Sequence, residues 1–164
     1  MAEDIVIRDA GPGDLWEIEA LVKTAYREFQ PLLAEYHWNR WMDNISQAIH
    51  SPGGQLIVAE RRGRIVGVVQ FYPDSGHSGL GHWPPGSGAI RLLAVEPGSR
   101  GQGLGTRLTE GCLRRARELK IPTIFLYTGE FMRAARNIYE RLGFQRTPEF
   151  DRETGPIAYR LDLS

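Results

Sequence analysis

The sequence predicts an α/β fold in which helices pack on a central mixed sheet. β-branched runs alternate along the chain with segments whose apolar residues recur every three or four positions. These are the spacings of strands and of amphipathic helices. The chain has 164 residues, enough to bury a core without disulfides or metals. We therefore expect one domain over residues 1–164.

The first half of the chain predicts a strand, two helices and a β-hairpin. Residues 11–14 suit a helix start, because proline is favoured in the first turn and an acidic side chain favours the positive end of the helix dipole. The expected bounds are 5–7 for the first strand, 15–25 and 38–49 for the helices, and 55–60 and 65–72 for the hairpin strands.

The second half predicts a loop, then strand, helix, strand, helix and one or two final strands. Residues 73–88 are rich in Gly, Ser and Pro, and we expect either a lid that carries Trp83 or an unstructured connection. Gly143 suits the left-handed residue that ends a helix, with Phe144 folding back. The expected bounds are 89–95, 104–119, 123–128, 131–142 and, for a half-buried strand, 157–163.

Two helices of the second half are each expected to bury one face. Cys112, on the inner face of the first, is expected to act as a small buried hydrophobe and not as a nucleophile. The inward positions are Leu104, Leu108, Cys112, Ala116 and Leu119 on that helix, and Ala134, Ala135, Ile138 and Leu142 on the next.

The turn before the helix at 104–119 is the most informative segment of the chain. Gly101, Gly103 and Gly105 alternate there with larger residues. Glycine permits positive φ and close approach to its N–H, and a helix start offers unpaired N–H donors. The turn therefore predicts a seat for a phosphate or pyrophosphate. Its spacing matches neither an NTPase phosphate loop nor a dinucleotide fingerprint, and a turn that binds nothing is the alternative.

Three segments of the chain together resemble the GNAT superfamily of acyl-CoA-dependent N-acyltransferases. In chain order they are Ile7-Arg8-x-Ala10-x-x-x-Asp14, then Leu93-Ala-Val95-Glu-Pro97 with Arg100-x-x-Gly103-x-Gly105, and Ala135-Arg-Asn137-Ile-Tyr139 through Gly143-Phe144. The resemblance spans nearly all of the chain. It implies the GNAT fold, with a central mixed, mostly antiparallel sheet of six to seven strands flanked by about four helices.

The resemblance also implies acetyl-CoA as acyl donor, and no metal. Backbone N–H groups of residues 101–106 would bind the pyrophosphate, and the main chain of Leu93 and Val95 would pair with the pantetheine arm. An N–H near Val95 would face the thioester oxyanion. The cofactor-binding residues so implied are Leu93, Ala94, Val95, Arg100, Gly101, Gln102, Gly103, Leu104, Gly105, Thr106 and Asn137.

Tyr139 is the general acid that the resemblance implies. A phenol has a pKa of about 10 and a thiol about 8.5, so the phenol stays protonated at neutral pH and can give a proton to the departing thiolate. The alternative is that Tyr139 only packs on Phe144 at the end of its helix.

No general base is assigned from the sequence. Many relatives place a glutamate a few residues before Leu-x-Val, where this chain has Ala89, Ile90, Arg91 and Leu92. The remaining candidates are Glu130, His82, His77, His37 and water.

Composition excludes several partners. Lys plus Arg and Asp plus Glu number 20 each, so no net charge attracts nucleic acid or a membrane. A single cysteine suits a reducing compartment and the N-terminus lacks a secretion signal, so we expect a cytoplasmic protein. Family analogy makes a homodimer an expectation.

We expect an N-acetyltransferase whose small amine acceptor attacks the thioester directly. A catalytically silent acyl-CoA-binding sensor is the alternative, because the base is missing. One segment expected to surround the acceptor is aromatic, although some of these side chains suit the core. Its members are Tyr26, Phe29, Tyr36, His37, Trp38 and Trp41.

Overall fold

The computed structural model describes residues 4–153 and 155–163, built around a seven-stranded sheet of order β1-β2-β3-β4-β5-β7-β6. Neighbouring strands are antiparallel except β4 and β5, which are parallel. The strands are β1 Ile5–Asp9, β2 Gln55–Arg61, β3 Arg64–Tyr72, β4 Gly88–Val95, β5 Thr123–Thr128, β6 Gln145–Arg146 and β7 Ile157–Asp162. The α-helices are α1 Leu15–Tyr26, α2 Glu35–His50, α3 Leu104–Glu118 and α4 Arg133–Arg141. The predicted mixed, mostly antiparallel sheet with four helices is confirmed.

Helices cover both faces of this sheet because its central strands are apolar on both sides. Val68 packs with the cluster formed by α1 and α2, while its neighbour Val69 packs with the cluster formed by α3 and α4. Successive strand residues point to opposite faces, so α1 and α2 lie on one face and α3 and α4 on the other. β4 thus runs through the middle of the protein, with a helical layer above and below it.

Most predicted elements are confirmed, with shifts at their ends. Gly143 has the predicted left-handed conformation, with φ +100°, and Phe144 is buried behind it. The inward prediction for Leu119 is wrong, because α3 ends at Glu118 and leaves this side chain 53% exposed. Ala134 is also exposed, since α4 begins only at Arg133 and turns that position to solvent.

The final strand departs from its predicted alternation. Ala158 is as fully buried as Tyr159, so β7 is covered on both faces over its first half. The segment before the strand is bonded to it, since Asp151 Oδ1 accepts a hydrogen bond of 2.7 Å from the Ala158 N–H. Beyond Tyr159 the strand is half-buried or exposed, as the sequence predicts.

Candidate active site

The sheet splits between β4 and β5. The two strands pair only where residues 88–90 face residues 124–126, although β4 continues to Val95. The later residues of β4 therefore have no partner in β5, while β3 still pairs with them on the other side. Apart from the Leu93 carbonyl, which accepts a hydrogen bond from Tyr26, the main chain on this side of β4 has no strand partner and could bind an extended group inserted into the split.

A β-bulge lies in β4 at the start of this split. Gln70 of β3 faces Arg91 and Val68 faces Ala94, so that Leu92 and Leu93 both stand opposite Val69. Leu92 has φ +61°, a left-handed conformation that costs a non-glycine residue about 1–3 kcal/mol. Such strain persists where the surrounding structure enforces it, and it is concentrated at functional sites. No pattern in the sequence predicts this bulge.

Tyr26, the last residue of α1, is joined to the bulge. Its buried hydroxyl donates a hydrogen bond of 2.8 Å to the carbonyl oxygen of Leu93. The carbonyl of Leu93 is thereby satisfied by a helix and not by a strand. The sequence placed Tyr26 in the acceptor segment but gave no sign of this contact.

The glycine turn has the geometry expected of an anion seat. Gly101 has φ +82° and Gly103, which caps α3, has φ +76°. A Cβ added at either glycine would meet no atom within 4 Å, so the space beside both is open. No side chain caps α3 and its first turn holds no acidic residue. The first N–H groups of the helix are therefore left for a ligand.

Gly105 differs from the other two glycines because it is buried. A Cβ added there would lie 2.7 Å from Ile138 Cδ1, so this glycine lets α3 pack closely against α4. Leu104 is also buried and Thr106 is half-buried. Binding of the cofactor by these three residues through their N–H groups stays a prediction.

Side chains hold the turn in place from two directions. Arg100 pairs with Glu28, and its Nη2 donates a 3.1 Å hydrogen bond to the Ala25 carbonyl near the end of α1. On the other side Arg61 of β2 donates to Gln102 Oε1 and, at 3.1 Å, to Ser99 Oγ. The sequence analysis missed Arg61, since nothing in the chain links β2 to the turn.

Tyr139 lies in α4 and is 4% exposed. Its ring packs against Phe144, with centroids 5.6 Å apart, as the packing alternative predicts. Its hydroxyl makes no hydrogen bond to a described residue. Burial, with the nearby Tyr26 and Cys112, raises the pKa of Tyr139 well above its usual value. The group is thus a protonated phenol with a free hydroxyl.

The candidate bases are exposed, and none of them hydrogen-bonds to this hydroxyl. His37, His77, His82 and Glu130 are all exposed, and none hydrogen-bonds to Tyr26, Leu93 or Tyr139. His77 lies 3.8 Å from Asp74 and against Gly53, in a different part of the surface. Asn137 is exposed on α4, and its carbonyl accepts a hydrogen bond from Arg141.

An aromatic cluster covers the end of α1 on the other face of the sheet. Tyr26 and Trp41 stack with centroids 4.9 Å apart, and Phe29 lies 5.1 Å from Phe131. Trp38 is 8% exposed and belongs to the core, whereas Tyr36 and His37 point to solvent. Some members of the predicted aromatic segment thus lie in the core, some in this cluster and some at the surface.

The loop over residues 73–87 is packed onto the same face. Ser75 and Ser87 hydrogen-bond through their hydroxyls at 2.8 Å, which closes the loop at its base. Trp83 stacks on Phe125 of β5, with centroids 4.8 Å apart and planes inclined by 16°. These contacts contradict an unstructured connection, and they make the loop a side wall of the split.

Arg91 lies on β4 between this wall and the aromatic cluster. Its Nη1 donates a 3.2 Å hydrogen bond to the carbonyl of Ser78 in the loop. Burial lowers its pKa, while the neighbouring Tyr72 and Tyr26 oppose that effect. Across the split, the guanidinium of Arg152 sits 5.9 Å from the centre of the Tyr127 ring.

Two features are absent from residues 4–153 and 155–163. None of the helices there is long and apolar enough to cross a membrane. No group of three or more His, Cys, Asp and Glu side chains is arranged there to hold a metal ion.

Comparison with known proteins places the glycine turn and α4 within one family model. Residues 15–144 match the acetyltransferase (GNAT) family. The chain is 35% identical over 102 residues to mycothiol acetyltransferase of Streptomyces avermitilis, covering 62% of this chain and 30% of that protein. It is 31% identical over 156 residues to mycothiol acetyltransferase of Acidothermus cellulolyticus, covering 88% and 46%. The chain thus spans less than half the length of either relative.

A solved structure shares the fold. The PaiA N-acetyltransferase from Thermoplasma acidophilum, in complex with coenzyme A, superposes with a TM-score of 0.74 over 96% of this chain and 98% of that one. The two sequences are 12% identical, so this likeness establishes the architecture alone.

Proposed function

We propose, from the premise that this chain belongs to the GNAT acetyltransferase family, that it transfers an acetyl group from acetyl-CoA to the amine of a small acceptor. The observation that carries the proposal is the joint presence of two parts in one site. The uncapped glycine turn at the start of α3 suits a pyrophosphate, and the split beside β4 suits an extended pantetheine arm.

Donor binding would depend mainly on the main chain. The N–H groups of residues 101–106 would hold the pyrophosphate, while Leu93, Ala94 and Val95 would pair with the amides of the pantetheine arm. Arg100 and Gln102 would act indirectly, because their side chains are engaged with Glu28 and Arg61 in holding the turn. Asn137 would contact the donor from the exposed side of α4.

The chemistry we propose is direct attack of the amine nitrogen on the thioester carbonyl carbon. The C–N bond forms, the C–S bond breaks, and the thiolate takes a proton from Tyr139. The phenol recovers its proton from the attacking nitrogen through water. An acyl-enzyme is disfavoured because Cys112 is fully buried, and burial raises the pKa of its thiol to about 12.

A low-dielectric site does not by itself disable Tyr139 as an acid. Burial raises the pKa of the phenol, but it also raises the pKa of a thiol in the same surroundings, as it does for Cys112. The departing thiolate is therefore a stronger base there than in water. Burial therefore shifts the pKa of the proton donor and that of the proton acceptor in the same direction.

The deciding experiment is release of coenzyme A thiol from acetyl-CoA over a panel of primary amines, read with a thiol reagent. The proposal expects release that depends on the amine and the acetylated amine by mass spectrometry. Tight binding of acetyl-CoA without release for any amine would favour the alternative of an acyl-CoA-binding sensor. Failure of the folded protein to bind coenzyme A at all would remove both.

A further inference from the structure

Arg91 is a half-buried cation for which the described residues supply no carboxylate. It faces Gln70 of β3, whose amide donates to the Ala48 carbonyl of α2, so both side chains lie on the face that α1 and α2 cover. A guanidinium carries five N–H donors. The carbonyl of Ser78 and the hydroxyl of Tyr72 occupy part of them, both as neutral acceptors.

A second cation without a carboxylate partner among the described residues approaches Arg91 from across the split. Arg152 lies over the ring of Tyr127 on β5, and its charge lowers the pKa of Arg91 further. Arg152 is exposed, but Arg91 is partly buried, where proteins ordinarily pair a charge, and the two cations repel each other. An anion between them would relieve both effects.

The position of Arg91 links this cation to the proposed chemistry. Tyr26 lies close enough for its hydroxyl to interact electrostatically with both Arg91 and Tyr139. The same hydroxyl is bonded to the Leu93 carbonyl at the bulge. Three neighbouring side chains therefore connect the loop at 73–87 to the donor side of β4: Arg91, Tyr26 and Tyr139.

We infer that the acceptor carries an anionic group near its amine, and that Arg91 and Arg152 bind this group. The inference rests on the proposed function and names the substrate class for that same site. A carboxylate suits a guanidinium because its two oxygens accept two parallel N–H bonds, and a phosphonate offers the same chemistry. A neutral or cationic amine would leave Arg91 without a counter-ion.

The test compares matched acceptors: an amino acid, its carboxamide, and the aminophosphonate of equal chain length. The wild-type protein is expected to show a kcat/KM about 10- to 100-fold higher for an anionic acceptor than for the neutral carboxamide. Arg91→Gln should remove most of that difference by raising KM for the anionic acceptors. Arg91→Lys keeps the charge but loses the paired donors, so its preference for anionic acceptors should lie between those of the wild type and Arg91→Gln.

Arg160→Gln is the matched control, because Arg160 is exposed at the far end of β7 and the variant removes the same charge. It should keep the wild-type selectivity. Binding of coenzyme A by calorimetry should be equal in all variants, which separates loss of the acceptor site from loss of the fold.

The possible results distinguish a failure of the acceptor assignment from a failure of the proposed acetyl transfer. Higher activity with the amino acid than with the phosphonate would identify the anion as a carboxylate, and the reverse order as a phosphate-like group. Equal kcat/KM for the amino acid and its carboxamide would overturn the inference and leave acetyl transfer intact. No turnover of any amine, with coenzyme A still bound, would overturn both.

Discussion

The hydroxyl of Tyr26 donates a 2.8 Å hydrogen bond to the carbonyl of Leu93 across 67 residues of sequence. It joins the end of α1 to the point where β4 bulges and leaves β5. The α1–α2 layer, which is expected to border the acceptor, is thereby fixed to the strand that is expected to hold the donor. Substitution of Tyr26 should therefore lower both the stability of the fold and the rate of turnover.

Tyr26→Phe should lower the free energy of unfolding by about 1–3 kcal/mol, because it leaves the buried Leu93 carbonyl without its donor. It should also reduce kcat/KM for acetyl transfer, since the bulge loses a support. Denaturant unfolding and steady-state kinetics measure the two effects. Tyr36→Phe is the control, because Tyr36 is 65% exposed and should tolerate the change. Equal behaviour of the two variants would contradict a role for the Leu93 contact.

Gly101→Ala should weaken binding of coenzyme A by about tenfold, since a left-handed residue costs about 1–2 kcal/mol when it carries a Cβ. There is open space beside Gly101, so the expected loss comes from backbone conformation and not from a clash. Gly98→Ala is the matched control: Gly98 precedes the same turn, its added Cβ also meets nothing, and its φ is not positive. Calorimetry should find the control unchanged; loss in both variants would point to general damage of the turn.

Gly105→Ala should destabilise the fold by about 1–3 kcal/mol, because its Cβ would lie 2.7 Å from Ile138 Cδ1 and overpack the α3–α4 contact. Ile138→Val removes that δ-carbon, so the double variant should recover much of the loss. Gly111→Ala on the same helix meets no atom within 4 Å and should instead gain up to about 1 kcal/mol of helix stability. Thermal and denaturant unfolding compare each variant with the wild type.

The elements of this fold were predictable because their signals are local. Helical spacing from Leu15 to Ala25 indicates a helix whose core side can be read from the sequence, and the β-branched run that ends at Tyr72 indicates a strand. The glycine turn was recognisable for the same reason, as its conformation is required by the residues themselves. The exact ends of the helices were not predictable. Leu119 and Ala134 are exposed, and their helices end or begin one or two residues from the predicted bounds.

The candidate site was predictable only where a motif marks it. Leucine has no preference for positive φ, so nothing at Leu92 signals the bulge; the pairing with β3 imposes it. Arg61 and Tyr26 reach the site from segments 41 and 67 residues away from their partners. Contacts of that kind depend on the assembled sheet. They explain why the sequence could suggest a donor seat and leave the acceptor side open.

Tyr139→Phe should reduce kcat by about 100-fold if the phenol supplies the proton to the thiolate, within the range typical of general acid catalysis. The ring would keep its packing on Phe144, so binding of coenzyme A and the unfolding temperature should change little. The pH profile gives a second reading. An acid must be protonated to act, and burial raises the pKa of Tyr139 above its usual value near 10. In the wild type, kcat should therefore show no loss attributable to this group below a pH of about 10. Full turnover by the phenylalanine variant would leave Tyr139 a packing residue and shift the proton transfer to water.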